Sequence, residues 1–214
     1  MIYENMYFII GNAYAGKSTM LRLLSEKYHG ILCEENYHNK YLDSLDKNEY
    51  PNLCSTRDLV DWHEFIRRTP EEYERWFDAV AKECEIIELQ ILDKLKDKKD
   101  LVFVDTNISI ETLKRIARPD HVLVMLSSPD TAVKRFFERP DREKQFLYRL
   151  IMEEKDPVFA MANYKEGLTR INSVERYNEY LNSGFKVILR NDERSIEETL
   201  ALVEKSFSLT KPQK

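Results

Sequence analysis

One octapeptide constrains this chain more than anything else in it: Gly11-Asn12-Ala13-Tyr14-Ala15-Gly16-Lys17-Ser18. It fits G-x-x-x-x-G-K-[ST], the P-loop pattern. An apolar run, Met6–Ile10, precedes it. A stretch over 19–28 follows, with Leu21, Leu24 and Tyr28 at helical spacing. Strand, loop and helix in that order are the context the pattern needs to cradle phosphate. The chain holds five glycines, and two of them sit in the motif, so the match does not come from a glycine-rich composition.

The residue types explain the chemistry. Backbone N–H groups across Gly11, Asn12, Ala13, Tyr14, Ala15, Gly16, Lys17, Ser18 and Thr19 can converge on phosphate oxygens. The helix opening at Gly16 brings its positive end to the same oxygens. Lys17 adds a mobile charge for the β- and γ-phosphates, and Ser18 offers a hydroxyl to Mg²⁺. Gly11 and Gly16 permit the tight backbone path. The expected ligands are therefore ATP and Mg²⁺.

Hydrophobic periodicity then gives an α/β class. Strands are expected at Met6–Ile10, Ile31–Cys33, 101–105, 121–126 and 185–189, with helical patterns between them. That order predicts a five-stranded parallel sheet with helices on both faces, the three-layer P-loop NTPase fold, with Met6–Ile10 central. Gly30 reads as the stop of the first helix. Thr69-Pro70-Glu71-Glu72 and Ser195-Ile196-Glu197-Glu198 read as capping boxes, and Ser128-Pro129 as another helix start. A single domain is expected over 1–208, with a helical acceptor-binding insert at 34–99 after the second strand, an Arg-rich lid region at 135–156, and a frayed tail at 209–214.

In such sheets ligands gather at the carboxyl ends of the strands. Asp105 stands at the end of the third strand. Two readings apply: it helps hold Mg²⁺, or it caps 106–108 as an Asx turn. Glu34 and Glu35 follow the second strand. If that strand continues, alternation lets only one face the cleft, and Glu34 is put first as the group that orients or deprotonates an acceptor. Otherwise both acids open a helix. Arg135, Arg139 and Arg142 are either lid groups for a transferring phosphoryl or one side of a solvated Arg/Glu face. Arg190 is expected to border the nucleotide base. Arg57, Arg67, Arg68 and Arg75 lie among Tyr37, Tyr41, Trp62, Phe65 and Trp76, where arginine with aromatic rings can sandwich a base or fix an acceptor phosphate, while most of these aromatics read as core.

Composition narrows the alternatives. A net charge of −5 argues against a broad nucleic-acid-binding surface. Cys33, Cys54 and Cys84 are scattered thiols, and His29, His38, His63 and His121 show no metal spacing. No run is long enough for a membrane span or a signal peptide, so the expected compartment is the cytoplasm. No partner but ATP and a small acceptor is expected, and a homodimer is compatible. Thr106 stands where many hydrolytic ATPases carry a Glu after the strand-end Asp, which argues against a motor ATPase.

The loop from Gly11 to Thr19 resembles the G-N-x-x-[AS]-G-K-[ST]-T loop of deoxynucleoside kinases, within the P-loop small-molecule, nucleoside and nucleotide kinases. The resemblance implies that Glu34 is the base for a sugar hydroxyl. It also implies that Pro129, Arg135 and Arg139 match the P-x₅-R-x₃-R lid entry. The chain departs from that family in two places. The acid-Arg-Ser triplet is replaced by Asp105-Thr106-Asn107, and the second lid arginine is displaced to Arg142. The resulting expectation is an Mg²⁺-dependent ATP phosphotransferase acting on a small metabolite, with Lys17, Glu34, Arg135, Arg139 and Arg142 catalytic. Its rivals are a nucleotide-binding regulatory or interaction protein without turnover and a kinase of nucleic-acid ends.

Overall fold

A computed structural model describes residues 2–138 and 142–209 of the 214. Five strands, β1 (Met6–Ile10), β2 (Ile31–Cys33), β3 (Val102–Asp105), β4 (Val122–Leu126) and β5 (Lys186–Leu189), form one parallel sheet in the order β2-β3-β1-β4-β5. β1 is central, as its run of five buried residues requires. Pairing is in step across the middle, with Phe8 opposite Val104 on one side and Val122 on the other.

Alternation along β1 separates two cores. Met6, Phe8 and Ile10 face one way, packing with Val102, Val104, Val124 and Leu113. Tyr7 and Ile9 face the other way, with Phe103, Leu123, Leu21, Leu24 and Val203. Helix α1 (Lys17–Tyr28) and the last helix therefore cover one face, while Leu92 and Leu113 come from helices on the opposite face. This is the expected three-layer α/β arrangement.

Between β2 and β3 lie a 3₁₀ segment (Tyr37–Ser44) and helices α2 (Pro51–Arg57), α3 (Trp62–Ile66) and α4 (Pro70–Asp93). The Thr69 capping box opens α4: Thr69 Oγ1 accepts from the Glu72 amide at 3.2 Å, and Glu72 accepts in return from the Thr69 amide at 2.8 Å. Buried Glu83 on α4 accepts from the Asn52 and Leu53 amides at 3.1 and 2.7 Å, placing a carboxylate on the first turn of α2. Next come α5 (Ile110–Ile116), α6 (Pro129–Arg135), α7 (Arg142–Glu153), α8 (Pro157–Ile171), α9 (Val174–Leu181) and α10 (Ile196–Ser206). The Ser195 box opens α10 as expected.

A third cluster lies away from the sheet. Phe65, Ile66 and Tyr73 from the β2–β3 segment pack with Leu150, Ile151, Tyr164 and Leu168, and with the half-buried Phe136, Phe137 and Phe146. One aromatic core thus joins the β2–β3 segment to α6–α8.

Several expected boundaries move by a residue. β3 and β5 begin one position later than read, and His121 falls in a short 3₁₀ turn, where its Nδ1 meets the Met6 carbonyl at 3.2 Å. Gly30 is not the left-handed stop of α1. That conformation belongs to His29 (φ 52°). Gly30 is required because a Cβ there would lie 2.7 Å from both the Leu101 carbonyl and the Phe103 ring. Leu209, expected to fray, packs against the α1 face of the sheet; the rest of that tail lies outside the described residues.

Candidate active site

The loop between β1 and α1 is held open by its neighbours. Gly11 has φ 128°, and a Cβ on it would lie 1.9 Å from the Met125 carbonyl of β4. No other residue fits there. Gly16 (φ 95°) caps α1 in the left-handed region, and it has no side chain to compete for the amides behind it. Asn12 has a structural task that its motif position hides. Its Nδ2 donates to the Ser127 carbonyl at 2.8 Å, and its Oδ1 accepts from the Ser127 amide at 2.8 Å. Ser127 Oγ also donates to the Ala13 carbonyl at 2.7 Å. The loop is thereby fastened to the carboxyl end of β4. Ala15 is buried beneath it and Ala13 faces outward.

Lys17 curls back over the loop, its Nζ donating to the Asn12 carbonyl at 3.2 Å. Ser18 Oγ donates to Asp105 Oδ2 at 2.9 Å, so the two proposed Mg²⁺ groups meet between the first turn of α1 and the end of β3. Asp105 is only 3% exposed. Burial pushes its pKa up, against the pull of Lys17 and the Ser18 hydrogen bond, while Glu35 and Glu88 push it up further. The Asx-turn reading of Asp105 does not describe its side chain. Thr106 performs that turn, its Oγ1 accepting from the Ile108 amide at 3.0 Å.

A cleft of about 300 Å³ opens beside these groups, lined by Ser18, Thr19, Leu21, Arg22, Leu32, Glu34, Glu35 and Asp105. Both glutamates reach it, contrary to the alternation argument. β2 stops at Cys33, so alternation no longer governs positions 34 and 35. Nor does a helix open there, since the 3₁₀ segment begins at Tyr37. Arg22, the cleft's one basic side chain, was missed. Its signal was its place one helical turn after Ser18, which sets both on the same side of α1.

Glu88 was also missed. It is fully buried on α4 and accepts from four donors. Thr106 Oγ1 lies at 2.6 Å, the Asn107 amide and Nδ2 each at 3.0 Å, and His38 Nδ1 at 2.9 Å. His38 Nε2 in turn lies 3.3 Å from Cys84 Sγ. The signal was an acid four residues after Cys84 on the apolar stripe of α4, where an unpaired carboxylate could not stay. Burial raises the Cys84 thiol to about 12 and the Cys33 thiol to about 11, so neither is a nucleophile at neutral pH.

The arginines divide. Arg135 ends α6, exposed, and Arg142 opens α7, also exposed; Arg139 lies outside the described residues. Arg190 donates through Nη1 to the Tyr14 carbonyl and pairs with Asp192 at 2.7 Å. Arg57 bonds the Leu42 and Leu45 carbonyls, Arg67 pairs with Glu154, and Arg68 lies over the rings of Phe65 and Trp76. Among the described residues no cluster of three or more His, Cys, Asp or Glu is arranged as a metal site, and no helix is long and apolar enough to cross a membrane.

No family model matches the chain, and no curated protein matches it. Among solved structures, the chain is similar to deoxyadenosine kinase from M.mycoides, described with the products dCMP and a flexible dCDP bound. That match covers 95% of this chain and 98% of the other, at 15% identity and a TM-score of 0.47.

Proposed function

We propose that the chain is an ATP-dependent kinase that transfers the γ-phosphoryl group to a hydroxyl of a small metabolite, with a nucleoside among the candidates. The observation that carries the reading is the contact of Ser18 with Asp105 beneath a glycine-cornered loop that ends in Lys17. That is the donor set a triphosphate and a hard cation require.

The loop amides and Lys17 bind and orient the triphosphate. Ser18 and Asp105 would hold Mg²⁺, which would supply positive charge to neutralise the phosphates. Buried Asp105 suits that task, because burial disfavours its charge until a cation arrives. Glu34 takes the acceptor's proton as its oxygen bonds the γ-phosphorus and the bond to the β-phosphate oxygen breaks. Glu35, which already acts electrostatically on Asp105, belongs to the metal side of the cleft. Arg135, Arg139 and Arg142 form a lid that neutralises the transferring group and keeps water out, and 34–99 forms the acceptor side.

The cleft charge favours a hydroxyl over a phosphate acceptor. Three carboxylates face one guanidinium, so an acceptor that arrived with its own phosphate would meet repulsion. The same acidity disfavours a nucleic-acid end. A reading without turnover draws on Asp105-Thr106-Asn107. The Asn107 side chain is tied to Glu88 and brings no cation toward the phosphoryl group. That reading predicts ATP binding with no transfer.

The test is an ATP-consumption screen against nucleosides, nucleoside monophosphates, sugars and short oligonucleotides. Nucleosides or sugars are expected to support turnover, and Lys17→Met to lower it by about a hundredfold or more. Full activity in Lys17→Met, or ATP binding with no acceptor used, overturns the kinase reading.

A further inference from the structure

The structure assigns the Tyr14 side chain a role in positioning the lid rather than in gripping phosphate, an inference that rests on the kinase reading for its catalytic meaning but not for its geometry. Tyr14 holds a backbone conformation unfavourable to a bulky residue, with φ 64°. A glycine would sit there without strain. What the tyrosine adds is contact. Its hydroxyl donates to the Arg135 carbonyl, the last residue of α6, at 2.8 Å. The Lys144 ammonium of α7 lies 5.5 Å from the centre of its ring and 5.1 Å from that of Phe136. Its own carbonyl accepts from Arg190, beyond β5.

One residue of the phosphate loop therefore reaches the end of α6, the first turns of α7 and the loop after β5. The bond to Arg135 is made to main chain, so it fixes where that residue stands whatever its guanidinium does. Asn12 ties the same loop to Ser127, immediately before α6. The α6 helix is thus pinned to the phosphate loop at both ends, by Asn12 near its start and Tyr14 at its finish. A guanidinium that must meet a phosphoryl group gains from having its backbone placed in advance.

Tyr14→Phe removes one oxygen and keeps the ring, while Tyr14→Gly removes the ring and the backbone strain. Hydrogen exchange on the ligand-free protein reads the pin directly. In both variants, amides of 129–138 and 142–147 are expected to exchange at least about threefold faster, with β1 and β4 unchanged. Tyr14→Gly should at the same time keep or raise Tm, a pairing that loss of a merely structural contact would not produce. ATP affinity, by calorimetry with MgATP, is expected to stay within about twofold in Tyr14→Phe, because the loop amides are untouched, while kcat falls about tenfold or more. Unchanged exchange over 129–138 and 142–147, with or without a tenfold loss of ATP affinity, overturns the assignment. If the parent chain binds no ATP, the kinase reading fails and exchange alone decides the role of Tyr14.

Discussion

Asp105 carries the main tension at the level of single residues. It is a carboxylate kept from water, with one hydroxyl as hydrogen-bond donor and two further acids acting on it. Its folded pKa lies above the usual 3.8, so the folded chain holds that proton more tightly than the unfolded chain. Stability from this group is present at low pH and is lost as pH rises through the folded value; at neutral pH the charge is a net cost. Asp105→Asn is expected to raise Tm at pH 7 by roughly 2–4 °C, about 1 kcal/mol, and to lower Mg²⁺-dependent turnover about a hundredfold. The Tm gain should shrink as pH falls through the carboxylate range, which calorimetry at a series of pH values would register. A variant less stable than the parent at neutral pH contradicts the account. Removing function to gain stability is the usual sign of a site kept strained for its task.

Helix α4 links two tasks. Its first half supplies Tyr73 and Trp76 to the aromatic cluster, and its last turns supply Leu92 to a core of the sheet and Ile91 to a small cluster with Leu53 and Cys84. Between them, Glu88 gathers the loop that leaves β3. Two of its donors belong to Asn107 and one to Thr106, so α4 sets the path of the chain directly beyond Asp105. Glu88→Ala strands those donors and His38 inside the protein. Breaking one side of such a buried pair costs about 3 kcal/mol or more, a Tm loss of roughly 6–12 °C at this chain length. Thermal unfolding tests it, and a loss under about 2 °C would mean that the network carries little of the loop's order. The motif Asp-Thr-Asn was legible in the sequence; the partner that explains it was not, since Glu88 stands 18 positions before Thr106, with the end of α4 and all of β3 between them.

Across the whole molecule, the aromatic cluster makes α3, the first half of α4 and α6–α8 one packed unit, apart from the two cores that sandwich the sheet. His63 and Arg67 on the β2–β3 side both bond Glu154, beyond α7, adding polar ties between the same parts. The lid and the acceptor side of the proposed kinase would therefore move as one body. Phe65→Ala, at a ring 4% exposed among Tyr73, Trp62 and Trp76, is expected to cost about 3–5 kcal/mol. Its loss of exchange protection should concentrate in α3 and α6–α8 and spare β1 and β4. Equal loss in the sheet would show that the unit has no independence. Sequence alone determined what depends on neighbours along the chain. Examples are the strand–loop–helix of the phosphate loop, the two capping boxes and the five strands. These follow from backbone sterics, helix-end hydrogen bonding and periodicity, each of which acts over a few residues. Only the tertiary structure decided that both Glu34 and Glu35 face the cleft, that Asn12 braces Ser127, that Glu88 steers the loop after β3, and that Tyr14 turns to the end of α6. Those outcomes depend on which distant donors, rings and carbonyls the folded sheet brings within hydrogen-bond reach, and no local pattern encodes that distance.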